Sequence, residues 1–194
     1  ALFNRELASA LVARADVEEL VIVPRVVRSE VRDVPPKVTF LADAAKGPIA
    51  YLRALARVRR EKFDLVICGH RNLLPVAPAN SVLMIHGIDA WRRSRIDTER
   101  IRAVVSVSAL TRDRFAGWSG YRGPTFVLPN AVHLDKYGIR AKRRDLVERY
   151  RLDGSRVLLT VGRLDAAERS KGFDEVMEVM RDLPEDVVYL IAGG

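Results

Sequence analysis

The stretch VLLTVGRLDAAERSKGF, residues 157–173, carries the clearest indication of the fold. Its first five residues are apolar or β-branched, which is typical of a strand buried in a parallel sheet, and Gly162 allows the backbone to turn where that strand ends. Ligands of open α/β sheets bind outside the carboxyl ends of the strands, and here Arg163 and Lys171 follow such an end. Two cations in that place predict a diphosphate site, while the residues alone are equally compatible with a solvated loop.

Strand-like and helix-like segments alternate along the rest of the chain. Short apolar runs predict strands at residues 20–23, 38–41, 64–68, 81–85, 103–107, 125–128, 157–161 and 187–192. Amphipathic patterns predict helices over residues 1–14, from Pro48 onward, over 109–118 after an N-cap at Ser108, and over 174–182. This alternation implies parallel strands joined by crossover helices, so we predict an α/β fold of two Rossmann-like, doubly wound parallel sheets.

The distribution of charge divides the chain into three parts. We predict a first domain over residues 1–138, a charged interdomain linker over 139–155 and the start of a second α/β domain over 156–194. The chain opens inside a helix pattern and closes directly after a strand pattern. We therefore expect the first strand of the first domain to lie before residue 1, and the rest of the second sheet to lie after residue 194.

The chain is strongly basic, with 33 Lys and Arg against 25 Asp and Glu and a net charge of +8. Such an excess predicts a polyanionic partner: nucleic acid, an anionic membrane or a phosphorylated substrate. The sequence has no RNA-binding aromatic signature and no zinc-finger spacing, so we expect no nucleic acid partner. In the helix from Pro48, one apolar stripe is interpreted as facing the core, in preference to a membrane; its residues are Ile49, Leu52, Leu55, Ala56 and Val58.

The single cysteine, Cys68, lies in an apolar strand pattern, so we expect a buried, inert thiol. No apolar run is long enough to span a bilayer, and the start lacks a signal-peptide pattern. These features favour a cytoplasmic location, and they leave peripheral attachment to the inner face of the membrane open.

Four segments, in this order, carry a resemblance to a known family. They are MIHGIDAW (84–91), AVVSVSALTRDRF (103–115), VLPNAVHLDKY (127–137) and VGRLDAAERSKGFDEV (161–176). They resemble the strand-end histidine motif, the Val-Ser strand and helix, the domain-junction segment and the Gly-Arg…Lys-Gly donor signature of glycosyltransferase family 4. Two residues depart from the family pattern: Ala131 stands in place of a glycine, and His133 in place of an aspartate.

The resemblance implies a reaction and a set of site residues. It implies the two-Rossmann-domain (GT-B) architecture and a retaining, hexosyltransferase-type enzyme that uses a nucleotide sugar and a glycan or lipid-linked acceptor, in polysaccharide, glycolipid or glycoprotein synthesis. His86 would act as a catalytic residue beside the donor sugar, and Gly162, Arg163 and Lys171 would bind the donor. The family's glycine-rich loop and paired glutamates, E-x7-E, would lie outside this chain. We expect no metal and no cofactor besides the donor substrate.

The chemistry of such a transfer agrees with these residue types. Breaking the bond to a nucleoside diphosphate develops anionic charge on the departing phosphate. Arg163 can offer a planar fork to phosphate oxygens, and Lys171 a mobile point charge, each contact being worth about 1.5–3 kcal/mol. No Asp-x-Asp pair that could hold a metal is present in the sequence.

Several alternatives stay open on the sequence alone. Without the family resemblance, a lone histidine such as His86 is interpreted as structural. His70 could line an acceptor site with Asn72, or equally cap nearby backbone. Asp89 is interpreted as a turn residue and Trp91 as a packing residue, in preference to a role in acceptor recognition. The alternative functions are a basic α/β module that binds nucleic acid or an anionic membrane, and an epimerase or phosphorylase-like relative.

Overall fold

The computed structural model describes residues 2–27, 31, 34–132, 138–165 and 171–193. The α-helices in these ranges are α1 (Leu2–Val12), α2 (Pro48–Val58), α3 (Gly87–Trp91), α4 (Ala109–Ser119), α5 (Arg144–Arg149) and α6 (Phe173–Val179). The strands are β1 (Leu20–Ile22), β2 (Val38–Phe40), β3 (Ile67–Cys68), β4 (Ser81–Ile85), β5 (Ile101–Ser106), β6 (Thr125–Val127), β7 (Arg156–Val161) and β8 (Val187–Ala192). Each strand overlaps one of the predicted strand segments.

Every strand pair in the described part of the chain is parallel, which confirms the predicted α/β fold with parallel sheets. β1 pairs with β2, β7 pairs with β8, and the remaining strands form a sheet in the order β3-β4-β5-β6. In the described ranges that sheet keeps the order of the chain. Its register aligns Cys68 with Leu83 and Ile85 with Ser106, so the segments that follow β3, β4 and β5 emerge at one edge.

The chain forms two compact units, Ala1–Val132 and His133–Gly194. The first unit ends a few residues before the predicted domain boundary at 138, and that boundary remains a prediction. Within the predicted linker, α5 forms a short helix that the sequence analysis did not anticipate, and Leu152 is buried.

The core of the first unit surrounds the middle of its four-stranded sheet. Leu83 and Ile85 of β4, Val104 of β5, Phe115 of α4 and Leu74 are almost fully buried. Helix α4 is fixed against this core at both ends. Ser108 is its N-cap, as predicted, with Oγ accepting from the backbone N–H of Thr111 at 3.1 Å, and Gly120 ends it in the left-handed conformation.

Helix α2 corrects one expectation. Ile49 and Leu52 are 67% and 52% exposed, so the interpretation that they face the core is wrong. The buried residue of this helix is Tyr51, with the Arg25 guanidinium 5.7 Å from its ring centroid. The apolar residues of α2 are compatible with more than one core-facing side of the helix. The side that carries the bulky Tyr51 ring is the one that packs on the core.

No helix in the described part of the chain is long and apolar enough to cross a bilayer.

Candidate functional site

His86 lies where the sequence predicts it, directly after β4 at the carboxyl edge of the four-stranded sheet. Its backbone is extended, with φ −99° and ψ 172°, and it is the N-cap of α3. The residue is half-buried in the first unit. A side chain at this edge stands where open α/β sheets bind ligands, so the position is compatible with the catalytic role that the family resemblance implies.

A buried carboxylate holds this strand end in place. Asp89 is 1% exposed, and its Oδ2 accepts a hydrogen bond from the backbone N–H of His86 at 3.1 Å. This contact is the carboxylate half of a capping box, in which the third residue of a helix reaches back to the N-cap. The side chain of Asp89 therefore fixes the backbone at the position from which the His86 imidazole projects.

The same carboxylate faces the neighbouring strand end. The His70 Nε2 lies 3.1 Å from Asp89 Oδ1. The angles of this contact are not those of a hydrogen bond, and no other atom of the described residues donates a hydrogen bond to Oδ1. Arg71 Nη1 donates to the Asp89 backbone carbonyl at 3.0 Å and also to that of Arg92. Asp89 thus links the segments after β3 and β4, a role that its interpretation as a turn residue did not include.

His70 caps the short 3-10 helix Arg71–Leu73, because its Nδ1 accepts from the backbone N–H of Asn72 at 3.1 Å. An accepting Nδ1 in a neutral imidazole leaves the proton on Nε2, which faces Asp89. Nδ1 is therefore engaged within the first unit, while Nε2 faces the Asp89 carboxylate. Of the two alternatives left open by the sequence, the structure shows the capping one.

Two tryptophans connect α3 to α4 beside this network. The indole Nε1 of Trp118 donates to the Ala90 carbonyl at 2.9 Å, and the Arg71 guanidinium lies 5.6 Å from the Trp118 ring centroid. Trp91 has the guanidinium of Arg114 at 3.9 Å from its centroid. A packing role was expected for Trp91, but the residue is 53% exposed.

In the second unit, two glycines bring the ends of β7 and β8 into close contact. The Gly162 N–H donates to the Ala192 carbonyl at 2.9 Å. A Cβ added to Gly193 would stand 1.7 Å from the Gly162 carbonyl oxygen, and one added to Gly162 would stand 3.1 Å from Cζ of Phe173. Backbones this close leave no room for a side chain at Gly193, and little at Gly162.

The predicted donor-binding residues gather at this edge. Arg163 follows Gly162 directly, and the Lys171 side chain passes nearby, with Cδ 3.8 Å from the place of a Gly162 Cβ. Gly172 then turns the chain into α6 with a φ of +77°. The first turn of α6 carries Asp174 and Glu175, which complement the helix dipole.

The predicted site residues are divided between the two units. Gly162, Arg163 and Lys171 belong to the second unit and His86 to the first. His133 and the other residues at 133–137, as well as 166–170 of the donor segment, lie outside the described residues. Among the residues that are described, no three His, Cys, Asp or Glu side chains form a group that could hold a metal ion.

Comparison with protein families shows that the model of Glycosyltransferase Family 4 matches residues 2–136. The matched range contains the histidine motif and all but the last residue of the junction segment, and it ends before Gly162. Comparison with curated proteins finds no match.

Proposed function

We propose a specific reaction for this chain, which belongs to glycosyltransferase family 4 and hence to the enzymes that transfer sugars. The reaction is a retaining transfer, without a metal, of a hexosyl group from a nucleotide sugar to a glycan or lipid-linked acceptor in polysaccharide, glycolipid or glycoprotein synthesis. The observation that supports this proposal best is the convergence of Gly162, Arg163 and Lys171 at the carboxyl end of β7.

The donor diphosphate is assigned to that edge for a physical reason. Gly162 and Gly193 carry no side chains, so a phosphate can approach the backbone there. Arg163 would bind phosphate oxygens through two parallel N–H groups, while the flexible stem of Lys171 would bring a compact charge to the same anion. Both contacts strengthen as the leaving group gains charge, so they accelerate the reaction and do not merely bind the substrate.

His86 is proposed to act on the sugar side of the reaction. Its backbone is held by the buried Asp89 carboxylate, so the imidazole projects from a fixed point at the edge of the sheet. A pre-positioned group of this kind can contact a hydroxyl of the sugar or the developing charge at the reacting carbon. We assign no acid or base step to His86.

An anionic membrane is proposed as a partner, because α2 presents apolar and basic side chains together. Ile49 and Leu52 are exposed, and Arg53, Arg57 and Arg60 are also exposed on this helix or directly after it. Apolar side chains can enter the headgroup region while the guanidinium groups bind anionic lipids. This surface would hold the protein at the inner face of the membrane, close to a lipid-linked acceptor.

The donor assignment is tested by binding of nucleotide sugars to the protein that carries this sequence. We expect Arg163→Ala and Lys171→Ala each to weaken the binding of its preferred nucleotide sugar by about tenfold or more, since each charge-assisted contact contributes about 1.5–3 kcal/mol. Isothermal titration calorimetry with a panel of UDP, GDP and ADP sugars measures this. Arg181→Ala, which removes an exposed arginine elsewhere in the second unit, is the matched control and should bind normally.

If both Arg163→Ala and Lys171→Ala bound the nucleotide sugar as tightly as the wild type, these residues would not form the donor site. If the protein instead bound duplex DNA in a salt-sensitive manner that neither variant changed, the alternative of a general basic module would replace it.

The role of His86 is tested by turnover. We expect His86→Ala to lower the rate of sugar transfer by about 10²–10³-fold with little change in donor affinity, as for other residues that act mainly on the transition state. His70→Asn is the control, because asparagine can still accept the hydrogen bond from Asn72. A turnover number for His86→Ala equal to that of the wild type would exclude a catalytic role.

A further inference from the structure

A cavity of about 220 Å³ lies at the contact of α3 and α4, and neither His86 nor the proposed donor residues line it. It is lined by Ala90, Trp91, Arg93, Arg114, Gly117 and Trp118. Two indoles and two guanidinium groups therefore surround one small space. The composition is unusual for a surface crevice, because it combines large apolar rings with positive charge.

The aromatic walls are held firmly. Trp118 donates to the Ala90 carbonyl at 2.9 Å and makes an edge contact with Phe115, at a centroid distance of 5.1 Å and an interplanar angle of 74°. Trp91 lies so close to Gly87 that a Cβ there would stand 3.3 Å from the indole Nε1. Because both rings are positioned by neighbours inside the first unit, a ligand would enter a preformed site and would lose little affinity to the ordering of side chains.

The positive charge of the cavity is not neutralised by a carboxylate. Arg114 stacks on Trp91, and neither it nor Arg93 forms an ion pair with a carboxylate of the described residues. Arg112, on the same helix as Arg114, does form such a pair, with Asp113 at 2.7 Å. The guanidinium groups of Arg93 and Arg114 are exposed and remain available to an external anion.

The size and chemistry of the cavity indicate its ligand class. Its volume is below the roughly 300–1,000 Å³ of pockets that take drug-sized ligands, so one monosaccharide fits better than a nucleotide. The Trp118 indole offers a flat apolar surface to the C–H face of a pyranose, and two guanidinium groups, one of them stacked on Trp91, bind a carboxylate or phosphate. We infer that this cavity binds an anionic monosaccharide unit, a pyranose that carries a carboxylate or a phosphate group. The site is independent of the donor residues and of His86.

The inference is tested by tryptophan fluorescence, because the chain contains only two tryptophans and both line the cavity. We expect glucuronate or glucose 6-phosphate to change the emission in a saturable manner, and glucose and inorganic phosphate to bind at least tenfold more weakly. A response to glucuronate alone identifies the anion as a carboxylate, and a response to glucose 6-phosphate alone as a phosphate.

Variants distinguish this site from general charge effects. Arg114→Gln and Arg93→Gln should each weaken binding about tenfold, whereas Arg112→Gln, a charge loss on the same helix, should leave it unchanged. Gly117→Leu provides a variant that keeps both arginines. A Cβ at Gly117 meets no atom within 4 Å, so the leucine can occupy the cavity without a backbone clash and should abolish binding.

Each contrary outcome overturns the inference. If glucose bound as tightly as the anionic sugars, the arginines would have no role in binding. If inorganic phosphate bound as tightly as glucose 6-phosphate, the sugar ring would have no role. If Gly117→Leu bound the anionic sugars normally, or if the wild type gave no saturable response, the cavity would not be a sugar-binding site.

Discussion

At the scale of single residues, the buried carboxylate of Asp89 shows how one side chain can organise a strand end. It caps the backbone of His86 with one oxygen and faces the His70 ring with the other. Removing a cap typically costs about 0.5–2 kcal/mol, and a buried charge without its partners costs more. Such a residue is retained where the position of the backbone matters, and here that backbone carries the proposed catalytic histidine.

The burial of the Cys68 thiol can be tested through the pH dependence of stability. Burial raises the pKa of the Cys68 thiol, while a hydrogen bond with Ser81 and the charge of Arg100 partly oppose the rise. Below the ordinary thiol pKa, both the folded and the unfolded chain hold the proton. As the pH rises above that value the unfolded chain loses its proton first, so the free energy of unfolding falls.

We therefore expect the stability advantage of the wild type over Cys68→Ala to shrink as the pH rises from 8 into the alkaline range, as measured by urea unfolding. Burial raises the pKa of the Tyr121 phenol in both proteins, so its contribution cancels in this comparison. The pKa of the Tyr51 phenol is raised by burial and also by the charge of Cys68, so the part due to Cys68 is lost in the variant and acts in the same direction as the thiol. A difference that stays constant with pH, or rapid modification of the native thiol by a disulfide reagent, would show that Cys68 is accessible.

At the scale of elements, periodicity identified the type of α2 but not the face that it buries. The apolar residues Ile49 and Leu52 point away from the core, beside exposed arginines. The short helices α3 and α5 were not predicted, because five or six residues give too few turns for an apolar period. The end of α3 is nonetheless where the tryptophan cavity begins.

The exposed face of α2 predicts binding to anionic vesicles. The double variant Ile49→Gln, Leu52→Gln should reduce association with phosphatidylglycerol vesicles about tenfold or more, since each buried aliphatic side chain contributes about 1.5–3 kcal/mol when fully buried. Vesicle flotation measures the bound fraction. Leu110→Gln removes a similarly exposed apolar residue from α4 and is the control. Equal binding to neutral phosphatidylcholine vesicles, or no loss in the double variant, would contradict a docking role for α2.

At the scale of the whole molecule, the net charge of +8 comes from the first compact unit, because the second unit carries 12 Lys and Arg against 12 Asp and Glu. Many acidic residues pair with close neighbours in the chain, as Asp16 does with Arg14 and Asp145 with Arg143. Exposed pairs of this kind contribute little to stability, and they leave the excess of arginine at the surface. A field of this sign attracts nucleotide sugars, anionic sugars and anionic lipids alike, so specificity has to come from local geometry.

The sequence by itself determined the elements and the class of this protein. Runs of apolar residues identified all the strands in the described ranges, and the Ser108 cap, the buried Cys68 and the family resemblance followed from residues close together in the chain. These features are local, so the order of residues specifies them. Only the tertiary structure decided the contact of Asp89 with His70, the exposed face of α2 and the cavity in which Trp118 meets Ala90. Those contacts join side chains 19 and 28 positions apart, and packing between elements, which no single segment contains, brings them together.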